Sequence, residues 1–260
     1  MNLLTEFRVC FLAESIKLRR TPLLWLSLGA PAFAVTVAFI ASLSSGHKFY
    51  YTGQSPWTDF SAHILVGWAL FVFPIYVCLQ AALYFSMEHQ QNGWSYWATL
   101  PISKQAFILS KYSWAVLLVA LSQLSLLFLM WGAGWLLAVL KPAYGFQHYP
   151  MTSMPAKACG WIFLSGLTIL AIQIQLSVFS RSFLVPTATG MIFILGGVIA
   201  RSLSVSIYWP FLWPISLLNN TPDTNLWKSG FAAAGITGFV LMTILGTIRF
   251  AGSKPRRMGH

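Results

Sequence analysis

The sequence predicts an all-α integral membrane protein, and three observations predict it. First, 57% of its 260 residues are hydrophobic and only 8% are charged, against about 25% charged in an ordinary soluble domain; the mean hydropathy is +0.69. Second, six apolar runs lie at about 23–43, 62–87, 107–140, 158–180, 183–200 and 231–250. Each is close to or above the roughly 20 residues that cross about 30 Å of hydrocarbon. Third, the sixteen Lys and Arg gather at the ends of these runs. With both termini on one side, eleven fall on that side and five on the other, an inside-positive bias that makes the shared side cytoplasmic. The net charge of +11 is therefore read as topology and lipid contact, and nucleic acid is not expected as a partner. Residues 1–260 form a single transmembrane domain on this reading.

The first element, 2–20, lacks the cleavage pattern of a signal peptide. At 3.6 residues per turn, Leu3, Leu4, Phe7, Cys10, Phe11 and Leu18 share one face, with Arg8, Lys17, Arg19 and Arg20 toward the other. That suits a helix lying in the membrane interface. Glu14 falls near the middle of the apolar face. It either pairs locally, with Lys17 or the neighbours of Arg8, or meets a cation on another element or on a partner. Pro31 is a candidate kink in the first span. Residues 44–61 and 141–157 read as polar outer connections, the latter carrying Pro142, Pro150 and Pro155, and Arg181-Ser182 as a very short inner turn. Residues 201–228 are apolar but broken by Pro210 and Pro214. They predict an interfacial or re-entrant helical hairpin on the outer face, with an aromatic-belt loop as the alternative.

The most informative stretch runs from Glu88 to Lys111. An apolar run ends at Glu88, aromatic anchors follow at Trp94, Tyr96 and Trp97, and Leu100-Pro101 breaks the chain. Ser103 is placed to cap the next helix, which carries Lys104 and Lys111. Residues 88–103 read as a short helix across the cytosolic membrane face, presented to a partner outside the bilayer.

Glu88, Trp94, Leu100, Pro101, Ser103, Lys104 and Lys111 together resemble the cytosolic coupling segment of bacterial type-2 ABC exporter permeases. Residues 12–26 resemble the junction between that family's elbow helix and first span. The resemblance covers the whole chain in layout and these two stretches in motif. It implies six transmembrane helices preceded by an amphipathic elbow helix, and a coupling helix docked on a separate ATPase. Coupling would involve Glu88, Trp94, Trp97, Leu100, Pro101, Ser103, Lys104 and Arg181, with Glu14, Lys17, Arg19 and Arg20 on the interfacial helix. Implied partners are two copies of an ABC ATPase, a second copy of this permease or a homologous one, and membrane lipids. ATP and Mg would be bound by the ATPase, with no cofactor on this chain. The small loops resemble the permeases of lantibiotic- or bacitracin-type antibiotic export and immunity, in the bacterial inner membrane.

The residues themselves set further bounds. No GxxxxGK[ST] phosphate loop is present. The five His show no ligand spacing, so no metal site is expected. Cys10, Cys78 and Cys159 stand far apart without CxxC spacing. Five acids supply acid–base chemistry poorly, and an enzyme active site is not expected. Gln80, Gln123, Gln173 and Gln175 are the polar groups within the spans; each is a candidate pathway-lining residue or a helix–helix hydrogen bond. Two other functions stay open: a non-transporting membrane scaffold or sensor, and a lipid-handling assembly factor using 201–228. Trp94→Ala or Glu88→Arg is expected to uncouple transport while the protein still inserts.

Overall fold

The computed structural model describes residues 2–45, 55–90, 102–150, 152–180, 182–201, 208–218 and 224–252, and among them every regular element is helical. In chain order these are α1 (Leu3–Leu18), α2 (Leu23–Ser45), α3 (Pro56–Gln90), α4 (Lys104–Leu140), α5 (Met154–Phe179), α6 (Leu184–Ala200) and α7 (Thr224–Gly252). Five helices contain stretches long and apolar enough to cross a membrane: Leu23–Ser44, Pro56–Gln90, Lys104–Leu140, Met154–Phe179 and Ser229–Gly246. α6 is equally apolar but has 17 residues, about 25 Å at 1.5 Å per residue. The protein is thus a multi-pass membrane protein.

α3 is the centre of the bundle, packing on α2, α4, α5 and α6. Its large side chains Phe60, Trp68, Phe73, Tyr76, Tyr84 and Phe85 are all buried. It begins at Pro56, earlier than the 62 expected, because Pro56 suits the first helical turn and Trp57 is drawn inside. The Trp57 indole N–H donates to the Phe146 carbonyl at 3.0 Å. Phe146 reaches that position from two short 3-10 turns, Pro142–Tyr144 and Phe146–His148, reversed between them at Gly145 (φ +74°). That left-handed backbone is one glycine adopts without steric cost.

Two prolines inside spans are accommodated differently. Pro74 has no N–H for the carbonyl one turn back, and α3 absorbs this with a π-helical turn over Trp68–Val72, in which the Phe73 N–H bonds to the Trp68 carbonyl. In α2, Pro31 leaves the Ser27 carbonyl without its helical donor, and the Ser125 hydroxyl on α4 points to it at 3.4 Å. In a bilayer no water can fill that role, so a neighbouring helix does.

α4 has 37 residues, about 55 Å, so it tilts or projects beyond the hydrocarbon. Its start at Lys104 is fixed by Ser103, whose hydroxyl accepts the Ala106 N–H at 3.3 Å. Part of the expected outer hairpin falls on 202–207 and 219–223, outside the described residues. Within 208–218 there is a 3-10 turn (Pro210–Leu212) and one helical turn (Trp213–Ser216). Phe211, Leu212 and Ile215 are buried against the bundle, and the Trp209 indole donates to the Phe193 carbonyl at 2.9 Å. α7 starts at Thr224, seven residues before the run expected from 231.

Glycines permit several close approaches, of which three show the range. A Cβ at Gly166 would strike Phe73, one at Gly190 would meet Cys78 Sγ at 2.5 Å and Gln173 Nε2 at 2.6 Å, and one at Gly235 would strike the Leu164 carbonyl oxygen. Gly160, by contrast, has nothing within 4 Å. A backbone carbonyl cannot yield as a side chain can. Gly235→Ala is therefore expected to force α7 from α5 and destabilise by about 1–3 kcal/mol. Gly29→Ala, with open space around it, should leave the midpoint unchanged or raise it. Thermal unfolding of both variants in detergent checks the pair.

Candidate functional site

Residues 91–101 of the expected coupling segment, and with them Trp94, Trp97, Leu100 and Pro101, lie outside the described residues, as does Arg181. What the structure gives is the anchorage of that segment at both ends, and α1 supplies both anchors.

α1 presents an unusual face to the protein. Its buried residues are Glu6, Cys10, Glu14 and Leu18, spaced four apart as one helical stripe requires. Phe7 and Phe11 flank the stripe, Phe11 stacking on Trp114 of α4 with ring centroids 4.7 Å apart. The apolar side chains Leu4, Leu12 and Ile16 are 62–76% exposed, as suits contact with lipid. Leu3 and Leu4, expected on one apolar face with Cys10 and Leu18, are exposed while those two are buried. The helix thus turns two acids inward, and the interior must answer both.

Glu14 is answered by Lys111. The Lys111 ammonium lies 3.0 Å from Glu14 Oε1 and 3.0 Å from Glu88 Oε1, and all three side chains are about 1% exposed. Tyr84 donates its hydroxyl to Glu14 Oε2 at 2.8 Å, and its ring packs beneath the ammonium at 4.5 Å. Lys17, partly exposed, donates to Glu88 Oε1. Two carboxylates and two ammonium groups from α1, the end of α3 and the second turn of α4 thus close into one charge-balanced cluster. Of the two readings for Glu14, the cation on another element is the one found. Glu88 faces into this cluster.

Glu6 answers the other end. Its Oε2 accepts the Ser103 backbone N–H at 3.0 Å, at the residue that caps α4. Hydrogen bonding from the Ser103 side chain and N–H holds the Glu6 carboxyl below the usual carboxylate range. No sequence motif singled out Glu6; the signal available was its four-residue spacing to Cys10 and Glu14. Residue 90 and residue 102 are thus each within two positions of a contact to α1, so α1 brackets 91–101. Lys104 is half-buried at the start of α4, and Arg19 and Arg20 are exposed at the end of α1.

The four glutamines are placed among the helices. The Gln80 amide donates to the Ala115 carbonyl at 2.9 Å, and Gln123 Oε1 accepts from the Trp68 indole at 3.3 Å. Gln175 donates to the Tyr112 hydroxyl at 2.9 Å and the Met242 carbonyl at 2.7 Å. Gln173 is fully buried with neither amide atom paired among the described residues. Those residues also hold no group of three or more His, Cys, Asp or Glu placed to hold a metal ion. Cys10, Cys78 and Cys159 are buried free thiols.

The chain matches a known family model, "ABC-2 family transporter protein", over residues 10–197. The chain belongs to that family. No curated protein and no solved structure gives a match. As an ABC-2 transporter chain it is a transmembrane subunit of an ABC transporter, in the family of type-2 exporter permeases. The matched range covers α2 to α5 and all but the last residues of α6, and it includes Glu14, Lys17, Glu88 and Lys111 of the cluster.

Removing one partner of a buried ion pair strands the other charge, at a cost of about 3–5 kcal/mol. Lys111→Met in the ABC-2 chain is expected to destabilise by an amount of that order and so to lower the unfolding midpoint. Adding Glu14→Gln should recover most of it, because Glu88 keeps Lys17; melting in detergent reads both. Glu6 gives a pH-dependent counterpart. Its folded pKa lies below the unfolded value, so its contact stabilises above the ordinary Glu range and is lost as pH falls through the depressed pKa. The midpoint gap between wild type and Glu6→Gln should narrow on that descent, which a series of melts from neutral to acid pH checks.

Proposed function

We propose that the chain is the six-span permease half of an ATP-driven exporter, with both termini in the cytoplasm and residence in a bacterial inner membrane. It pairs with a second copy or a homologous permease, and two copies of a separate ATPase bind and hydrolyse Mg-ATP. The cargo is an amphipathic molecule such as a peptide antibiotic or a lipid. Family membership supports the transport role. The observation that carries the mechanism is the anchorage of 91–101 to α1 at both ends, through Lys17–Glu88 and Glu6–Ser103.

Mechanically, the ATPase grips the segment through Trp94, Trp97, Leu100 and Pro101, with Lys104 at the lipid or partner surface and Arg181 in the neighbouring short turn. Ser103 fixes where α4 begins, and Glu88 fixes where α3 ends. Displacement of the segment by ATP binding is shared at once by α1, α3 and α4, because one cluster holds all three. α1 passes it to α2 across the four residues 19–22. The spans then reopen on the outer side, with Gln80, Gln123, Gln173 and Gln175 as the polar groups that line the pathway.

Pull-down of the tagged protein in mild detergent tests this. An ATPase carrying a phosphate loop is expected to co-purify, and Trp94→Ala is expected to lose both that subunit and stimulated ATP hydrolysis, with an unchanged unfolding midpoint. Retention of both by Trp94→Ala, or no ATPase with the wild type, would contradict the proposal. Glu88→Arg is not a clean uncoupling variant, since it sets a third cation inside the buried cluster beside Lys17 and Lys111 and should unfold the joint first.

A further inference from the structure

Beside the charge cluster, on its outer side, a cleft of about 430 Å³ opens between α1, the turn into α2 and the end of α3. That is within the usual range of ligand pockets, about 300–1,000 Å³. Ala13, Ile16, Lys17, Arg20, Thr21 and Met87 line it. Thr21 stands two residues before Leu23, where the first span begins. On the membrane placement proposed above, the cleft therefore opens at the boundary between headgroups and hydrocarbon.

Three features specify an occupant. Arg20 is exposed and has no carboxylate partner among the described residues. Lys17 is 29% exposed, and its ammonium reaches Glu88 from the cleft side. Apolar side chains close to the lining residues in sequence are exposed: Leu12 and Ile16 of α1 at 63% and 62%, and Trp25, four residues after Thr21, at 78%. A cationic pocket rimmed by lipid-facing side chains complements a molecule with an anionic head and acyl tails. A soluble anion would use the charge and leave the apolar rim uncovered; a protein partner on the cytosolic side would not reach the rim.

We infer that this cleft is a binding site for the phosphate of an anionic phospholipid from the same leaflet, held by Arg20 and Lys17 with the acyl chains along Ile16 and Trp25. Lys17 is shared, so the lipid phosphate competes with Glu88 for one ammonium. The lipid thereby joins the joint that anchors the coupling segment, and leaflet charge becomes an input to coupling.

The test is native mass spectrometry of the detergent-purified protein titrated with phosphatidylglycerol and with phosphatidylethanolamine of the same acyl chains. Detergent supplies no charged surface, which separates a site from diffuse attraction to a bilayer. Phosphatidylglycerol is expected to be retained more tightly. Arg20→Gln should weaken it on the order of tenfold, the scale of one charge-assisted hydrogen bond. Arg19→Gln, next along the chain but outside the cleft, should leave it unchanged. Ala13→Glu, which sets a carboxylate on the cleft wall, is the second variant and should act as Arg20→Gln does. Equal retention of the two lipids, equal weakening by both arginine variants, no weakening by either cleft variant, or displacement of the lipid by inorganic phosphate would each overturn the inference. The assay contains no ATPase, so its failure leaves the coupling proposal standing, and failure of ATPase association leaves the lipid site standing.

Discussion

Burying the Lys111 ammonium constrains this molecule more than any other single interaction. An ammonium taken out of water costs several kcal/mol even after relaxation, and returns that cost only with near-ideal partners. Glu14 and Glu88 supply them at 3.0 Å each, with the Tyr84 ring below. The partners come from three elements, so α1 can dock in one register only: a slip of one residue would rotate Glu14 by about 100° and strand both charges. Apolar packing alone would not choose the register so sharply. Leu4, Leu12 and Ile16 on the outer face are as apolar as the residues that went inside.

That constraint places the joint at the end of α3 and the start of α4, on either side of 91–101 in the sequence. Three of the five acids in the sequence, Glu6, Glu14 and Glu88, are spent there. A membrane protein otherwise avoids carboxylates, since each is costly within hydrocarbon. Their concentration at one junction is economical only if the junction has to stay intact under load. The rest of the bundle can then be held by close packing at glycines, by hydrogen bonds donated by Gln80 and Gln175 and accepted by Gln123, and by the Ser125 hydroxyl replacing the donor that Pro31 lacks.

Much of this was legible in the sequence, unevenly. Composition and apolar run length gave the class and the approximate spans, because crossing hydrocarbon imposes a length that no tertiary context overrides. Run ends were less legible: α3 starts at Pro56, where Trp57 is drawn inside, and α7 starts at Thr224. Ser103 was readable as a cap, since capping is local. Glu14 was readable as anomalous, but its partner was not, because Lys111 is 97 residues away and nothing local points to it. Glu6 carried no signal beyond its spacing. The acids pair across the fold, and a scan for carboxylates close in sequence is blind to that.

In the proposed mechanism α1 and the start of α4, where 91–101 ends, move as one body. Glu6→Cys with Ser103→Cys, bridged by a short bifunctional thiol reagent, tests it in the complex with the co-purified ATPase. Cys10, Cys78 and Cys159 are buried, and the parent chain treated alike corrects for them. If the claim holds, the bridged complex hydrolyses ATP at the rate of the unbridged one, because the bridge joins parts that already travel together. Loss of stimulated hydrolysis on bridging, restored when the bridge is cleaved, would show that the two must separate during the cycle and would contradict the account.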